Sequence, residues 1–255
     1  MRLTTVGTGT ASPSPARVNA GHLVEAGDVR LLMDCGSGVV HRLAAIGANW
    51  QGITHVALTH FHPDHTLDLT TLWYAWKYGT LPPRSAPLEL IGPPGTAALV
   101  AAFAALYGGA VSAPSWPLIV RELPFGAGLD LGSGVRLDTL KVPHCEESVA
   151  YSISRGARRI VFTGDTGESD SLGDWAKGCD VLLAECSLPD AMAIPQHLTP
   201  ARGAALAGRA APGQLALTHF YTVVEKEDIA GAIAERYGGP VTLTWDGWFT
   251  ELEDA

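Results

Sequence analysis

The sequence predicts an α/β fold in which two β-sheets pack face to face and helices cover their outer surfaces. Three observations carry this reading. Short aliphatic and β-branched runs recur in both halves of the chain. Between them lie segments whose apolar residues repeat at helical spacing. No linker-like composition separates the halves, so both sets of strands are expected to share one core, in a single domain spanning residues 1–255.

Taken in order, residues 3–6 read as a strand, followed by a Gly- and Pro-rich loop to Pro15. Residues 22–25 and 29–33 flank a Gly27-Asp28 turn and read as a hairpin. Asp34 closes the second of these strands beside the turn Cys35-Gly-Ser-Gly38, and residues 39–47 have helical periodicity. Residues 54–59 form a strand that ends at a dense polar cluster. A helix with Leu67, Leu69 and Leu72 follows, and its aromatic run 73–78 reads as core or as a contact between two copies. Next come a strand at 88–91, the turn Gly92-Pro-Pro-Gly95 and an alanine-rich helix. The apolar run 97–106 is half of the roughly 20 residues needed to span a bilayer, so a buried helix and no membrane span are expected. Further strands are expected at 118–123, 135–142, 150–154, 159–163, 181–185, 214–218 and 241–245. Helices are expected around 172–177, 200–210 and 226–237.

A formal net charge of −9 argues against a surface built for nonspecific nucleic-acid binding, which concentrates Lys and Arg. Met1-Arg2 runs into a polar, glycine-rich stretch without the apolar core of a signal peptide. Cys35, Cys145, Cys179 and Cys186 form no CxxC pair. Reduced thiols and a cytoplasmic location are the expectation.

The densest chemical signal is Thr59-His60-Phe61-His62-Pro63-Asp64-His65. On extended backbone His60 and His62 project to the same side, and a turn at Pro63 can bring Asp64 and His65 round as a second set. Imidazole and carboxylate suit zinc, iron or manganese, and the lack of cysteine ligands argues against a closed structural zinc site. Three residues at expected strand ends offer themselves as partners: His144 after Lys141-Val-Pro, Asp165 in Thr163-Gly-Asp-Thr166, and His219 in Thr218-His-Phe220. Each alone could equally cap a strand or helix; their order after the cluster gives them weight.

That order resembles the metallo-β-lactamase superfamily, and within it the branch of tRNA 3′-processing endonucleases (ribonuclease Z) and related phosphodiesterases. The likeness runs through the Gly7-Thr-Gly9 loop, Met33-Asp-Cys-Gly36, the cluster, Leu90-Ile-Gly-Pro-Pro-Gly95, Gly164-Asp-Thr166, His197-Leu-Thr199 and Thr218-His-Phe220. It implies a four-layer αββα sandwich with two divalent metal ions, zinc first, with manganese or iron as options. By resemblance His60, His62 and His144 would hold one ion, Asp64, His65 and His219 the other, and Asp165 would bridge them. A metal-bound hydroxide would then attack, with Asp64 orienting it. Asp34 matches the family's carboxylate that fixes a ligand's orientation, although from the residues alone it could cap the turn that follows. His197 matches the branch's proton donor to the leaving group, and Glu185 in Ala184-Glu-Cys186 its carboxylate partner; the neighbours Cys186-Ser187 depart from the family pattern. His22, His41 and His55 lack motif partners and read as packing or surface residues. Cys145, beside His144 on extended backbone, is expected to point away and be inert.

The departures bear on substrate. Many ribonuclease Z enzymes insert a tRNA-binding arm before the Gly-Asp-Thr strand, whereas here only Arg155-Gly-Ala-Arg158 joins the two strands. With the acidic charge, this favours a small anionic phosphodiester and disfavours RNA; tRNA processing is retained as an alternative. Lactone or acyl-ester hydrolysis shares the metal motifs, but Thr166-Gly-Glu168 lacks the tyrosine of the lactone enzymes. Asp165 counts against β-lactamase activity. A binding module that has lost catalysis predicts gaps in the ligand set, and none is seen. The branch is often dimeric, so a homodimer is an option the resemblance leaves open.

Overall fold

The computed structural model describes residues 1–253. Its first half runs β1 (Arg2–Gly7), β2 (Gly21–Ala26), β3 (Val29–Met33), α1 (Val39–Ala45), β4 (His55–Ala57), α2 (Pro63–Thr66), α3 (Asp68–Tyr78), β5 (Leu88–Gly92), α4 (Thr96–Tyr107), α5 (Gly109–Ser112) and β6 (Leu118–Glu122). The second half runs β7 (Gly128–Gly132), β8 (Val135–Lys141), β9 (Val149–Arg155), β10 (Arg158–Phe162), α6 (Asp170–Trp175), β11 (Val181–Glu185), α7 (Pro200–Ala210), β12 (Gln214–Thr218), α8 (Ile229–Ala234), β13 (Val241–Leu243) and β14 (Phe249–Glu251).

Two seven-stranded sheets result, ordered β14-β1-β2-β3-β4-β5-β6 and β13-β12-β11-β10-β9-β8-β7. In each, the strands joined by hairpins are antiparallel and those joined through helices are parallel. The inner faces meet through Leu3, Val24, Leu31 and Met33 on one side and Leu137, Tyr151, Ile153, Ile160 and Leu183 on the other. Outside the first sheet, α1 and α3 bury Val39, Leu43, Leu72, Trp73 and Trp76; outside the second, α6, α7 and α8 bury Leu172, Ala207 and Ile233. This is the four-layer αββα sandwich.

Most elements lie where the patterning places them, and α7 does so to the residue. Thr199 accepts from Arg202 N at its N-terminus, Pro200 occupies the first helical turn, and Ala211 ends it in the left-handed region. The differences have physical causes. Strand β7, Gly-Leu-Asp-Leu-Gly, is framed by glycines that read as loop, and β14 has only three residues. Helix α8 is shorter than the periodicity suggests, because Asp228 caps it at Gly231 N after a separate turn at 224–226. The helix expected to be buried, α4, is largely exposed: only Thr96 is fully buried, and Leu106 is 72% exposed. Leu99, Val100, Phe103 and Ala104 alone reach the core, and small alanine side chains can face water at little cost. Among the described residues, no helix is long and apolar enough to cross a membrane.

The parallel strands of both sheets end at one edge, the place where ligands bind in open α/β sheets. Two bonds tie the sheets together there. Tyr151 of β9, fully buried, donates its Oη to Leu58 O at 2.6 Å, and Val149 N donates to Thr59 O at 3.0 Å. Tyr151→Phe leaves the Leu58 carbonyl without that donor. Urea denaturation should show a loss of about 1–3 kcal/mol with unchanged m value; a midpoint equal to wild type would mean that the tie contributes nothing.

Candidate metal centre

Every side chain of the polar cluster follows a strand end. Asp34 comes directly after β3 and His219 directly after β12, and both have left-handed backbone (φ +58°), a conformation that costs a non-glycine residue about 1–2 kcal/mol. The chain after β4 extends through Thr59 and His60 and turns at His62, which precedes Pro63 at the start of α2. Gly36 makes room for this turn: a Cβ there would lie 1.9 Å from Asp64 O. Gly167 does the same for the segment carrying His197, because its Cβ would meet Pro195 O at 1.8 Å.

The histidines are aimed by what their outer nitrogens touch. His65 Nδ1 donates to Asp34 Oδ2 at 2.8 Å, and Asp34 also accepts from Thr59 N and Thr59 Oγ1. With its own proton committed to Asp34, Thr59 Oγ1 accepts from His60 Nδ1 at 3.0 Å. His144 Nδ1 donates to Gln196 O at 3.0 Å, and His219 Nδ1 to Ser187 Oγ at 2.9 Å. The hydrogen-bond network thus assigns the tautomers, leaving a bare Nε2 on His60, His65, His144 and His219. All four nitrogens converge on the Asp165 carboxylate.

These lone pairs confront one another. His62 Nδ1 lies 3.0 Å from His60 Nε2 and 3.2 Å from His144 Nε2, while His65 Nε2 and His219 Nε2 are 3.3 Å apart. One proton on His62 could satisfy only one of its two contacts. Nitrogens about 2.0–2.1 Å from a tetrahedral zinc stand roughly 3.3 Å apart, so a divalent cation fits where protons do not. Asp165 divides its oxygens between the two groups. Oδ1 is 3.4 Å from His65 Nε2 and 3.3 Å from His219 Nε2; Oδ2 is 4.0 Å from His60 Nε2 and 3.8 Å from His144 Nε2. Asp64 Oδ2 lies 3.6 Å from His219 Nε2. The sets His60–His62–His144, His60–His65–Asp165 and Asp64–His65–His219 each gather their donor atoms within 4.8 Å.

Charge follows burial and partners. Burial pushes the His60 and His144 imidazoles below their usual range, which keeps them neutral, as metal ligands must be. Burial would raise the Asp165 carboxyl, but His219 and His65, the latter also through a hydrogen bond, outweigh it and hold it well below the usual carboxylate range. Burial opposes a charge on His65, yet Asp165 and Asp34 on either side raise it well above the ordinary value, so a cation at its Nε2 would take the place of a proton that these carboxylates otherwise draw there.

Beside this centre, His197 Nδ1 sits 3.0 and 3.1 Å from the two oxygens of the buried Glu185. Burial lowers the imidazole, but the Glu185 hydrogen bond and charge, with Asp165, raise it overall. Glu185 also accepts from Thr166 N and, through a short contact, from Ser187 Oγ. Ser187 and Thr59 join the site although sequence reasoning assigned them no role; their only signal is position beside a motif residue. His22 is fully buried against Phe162 behind the site, and burial with His65 and His219 nearby pushes it down to about 3. Cys145 turns its Sγ to Ser148 Oγ, away from the cluster.

A beta-lactamase superfamily domain matches residues 29–220. The ribonuclease Z of Mycobacterium bovis (strain BCG / Pasteur 1173P2) is 30% identical over 268 residues, covering 95% of each chain. Among solved structures, the short form of human tRNase Z superposes with a TM-score of 0.82 at 23% identity over the whole of both chains. The metallo-β-lactamase fold protein YhfI of Bacillus subtilis gives the same score and identity over 98% of each. Such likeness extends from the opening strand to the last motif: the chain belongs to the metallo-β-lactamase superfamily, in its ribonuclease Z-like branch, and is a metal-dependent hydrolase.

Proposed function

We propose that the chain is a phosphodiesterase with two divalent cations, and the division of the Asp165 oxygens between two histidine groups is the observation that carries the reading. His60, His62 and His144 would hold one ion and Asp64, His65 and His219 the other, with Asp165 between them. Nitrogen and carboxylate donors suit zinc, and manganese or iron accept the same set. When bound, such a pair lowers the pKa of water toward neutrality and polarises a phosphoryl oxygen.

The chain's own residues do the rest. Asp64, half-buried, orients the attacking water. Asp34, Thr59 and Ser187 hold His65, His60 and His219 by their outer nitrogens. His197, with Nδ1 engaged by Glu185, presents Nε2 to the leaving oxygen and gives it a proton.

On substrate, the acidic charge and the two-residue turn at Gly156-Ala157 between β9 and β10 favour a small diester. Relatives named ribonuclease Z, matched over 95% of their length, weigh the other way. They lift RNA from disfavoured to a second reading, 3′ processing of precursor tRNA.

Bis(p-nitrophenyl) phosphate, a cyclic nucleotide, a precursor tRNA and a homoserine lactone, offered to the metal-loaded protein, separate these readings. Turnover of the phosphodiesters is expected; turnover of the lactone alone overturns the proposal. Asp165→Ala should lower bound metal, read by elemental analysis, from about two ions to one or fewer, and unchanged stoichiometry would remove its place between them. His197→Ala should retain metal yet slow diesters with poor leaving groups by about 10²–10⁴-fold, and activated nitrophenyl esters far less. Equal slowing of both would contradict the proton-donor role.

A further inference from the structure

Tyr221 is the one aromatic hydroxyl at the centre with no assigned task. It follows His219 by two residues. Phe220, between them, turns inward to the core behind the second sheet, with Phe220 N bound to Thr8 O at 2.9 Å. Tyr221 N in turn donates to Ser187 O at 3.3 Å, so the backbone on both sides of the ring is anchored. The half-exposed ring stands edge-on to both histidines of the Glu185 network. Its centroid is 6.2 Å from His197 at 71° and 6.3 Å from His219 at 83°. Among the described residues its hydroxyl has no hydrogen-bond partner, unlike Tyr151, whose hydroxyl is used up on Leu58 O. A phenol on anchored backbone beside both the proton donor and a metal-ligand candidate, with an O–H that no described residue takes up, is a preorganised donor for charge that develops on a substrate.

We propose that Tyr221 is a catalytic residue whose Oη donates a hydrogen bond to a non-bridging phosphoryl oxygen of the bound diester, strengthening as that oxygen gains charge in the transition state. The assignment rests on the phosphodiesterase reading. It divides labour with His197: the imidazole serves the leaving oxygen and the phenol serves the phosphoryl group. The competing role is packing, in which the ring merely steadies the two imidazoles and the hydroxyl is idle.

Full-length, metal-loaded wild type, Tyr221→Phe and Tyr221→Leu separate these roles when assayed on methyl p-nitrophenyl phosphate and methyl phenyl phosphate. Tyr221→Phe should lower kcat by roughly 10²-fold on both esters alike, with KM, metal content and melting temperature close to wild type, because the interaction forms in the transition state. Tyr221→Leu should lose about the same factor. Wild-type kcat in Tyr221→Phe overturns the proposal, and a loss confined to Tyr221→Leu assigns the ring to packing instead. A loss that grows with the leaving-group pKa would put the phenol on the leaving oxygen and equally overturn it. Should wild type cleave neither ester, the phosphodiesterase reading falls first, a result distinct from every one above.

Discussion

The structure turns on keeping unprotonated nitrogens together. Histidine lone pairs at 3.0–3.3 Å repel, and those of His60, His65 and His219 are also buried, so nothing local would gather them. The fold does so by occupying the other nitrogen of each ring. A carboxylate, a hydroxyl, a backbone carbonyl and a serine take the outer N–H of His65, His60, His144 and His219 in turn. Each of these acceptors is fixed in its own right, Asp34 most of all: fully buried and in the left-handed region, it accepts three hydrogen bonds. Strain stored at Asp34 and at His219 is tolerated because the surrounding sheets over-determine both.

The two-sheet architecture makes that possible. Asp34 and Thr59 follow β3 and β4 of one sheet, whereas Asp165, Glu185 and His219 end or follow β10, β11 and β12 of the other. The centre is therefore shared between sheets, and its shape depends on how they meet. The Tyr151 and Val149 bonds to residues 58 and 59 lie at that seam, so packing in the middle of the molecule reaches the first residues of the His-rich turn.

Much of this was legible in the sequence, and the reasons differ by element. The His60–His65 spacing is local, so alternation along an extended segment already predicts that His60 and His62 point together. The strands and α7 were legible because burial on one or two faces leaves a period in the residues. Helix α4 misled because apolar composition does not oblige burial when the side chains are alanine. Strand β14 was invisible because three residues carry no period, and its place beside β1 depends on a pairing nearly the whole chain apart. Thr59 and Ser187 were missed for a related reason. A hydroxyl has no spacing rule of its own, and its role appears only when strands from distant parts of the chain bring an imidazole nitrogen to it.

Glu185 shows how far the site resists division into separate parts. Its two oxygens receive His197 Nδ1, Thr166 N and Ser187 Oγ, and Ser187 passes the contact on to His219 Nδ1. One buried carboxylate thus sets the basicity of the proposed proton donor and, through a serine, the orientation of a proposed metal ligand. Removing it would disturb both at once, and the effects of changing His197 and His219 are not expected to add as independent sites do. A replacement that keeps the shape but not the charge, Glu185→Gln, separates the two. The amide can still meet Ser187 Oγ, but it no longer offers the charge that raises His197, so proton delivery should suffer more than metal binding.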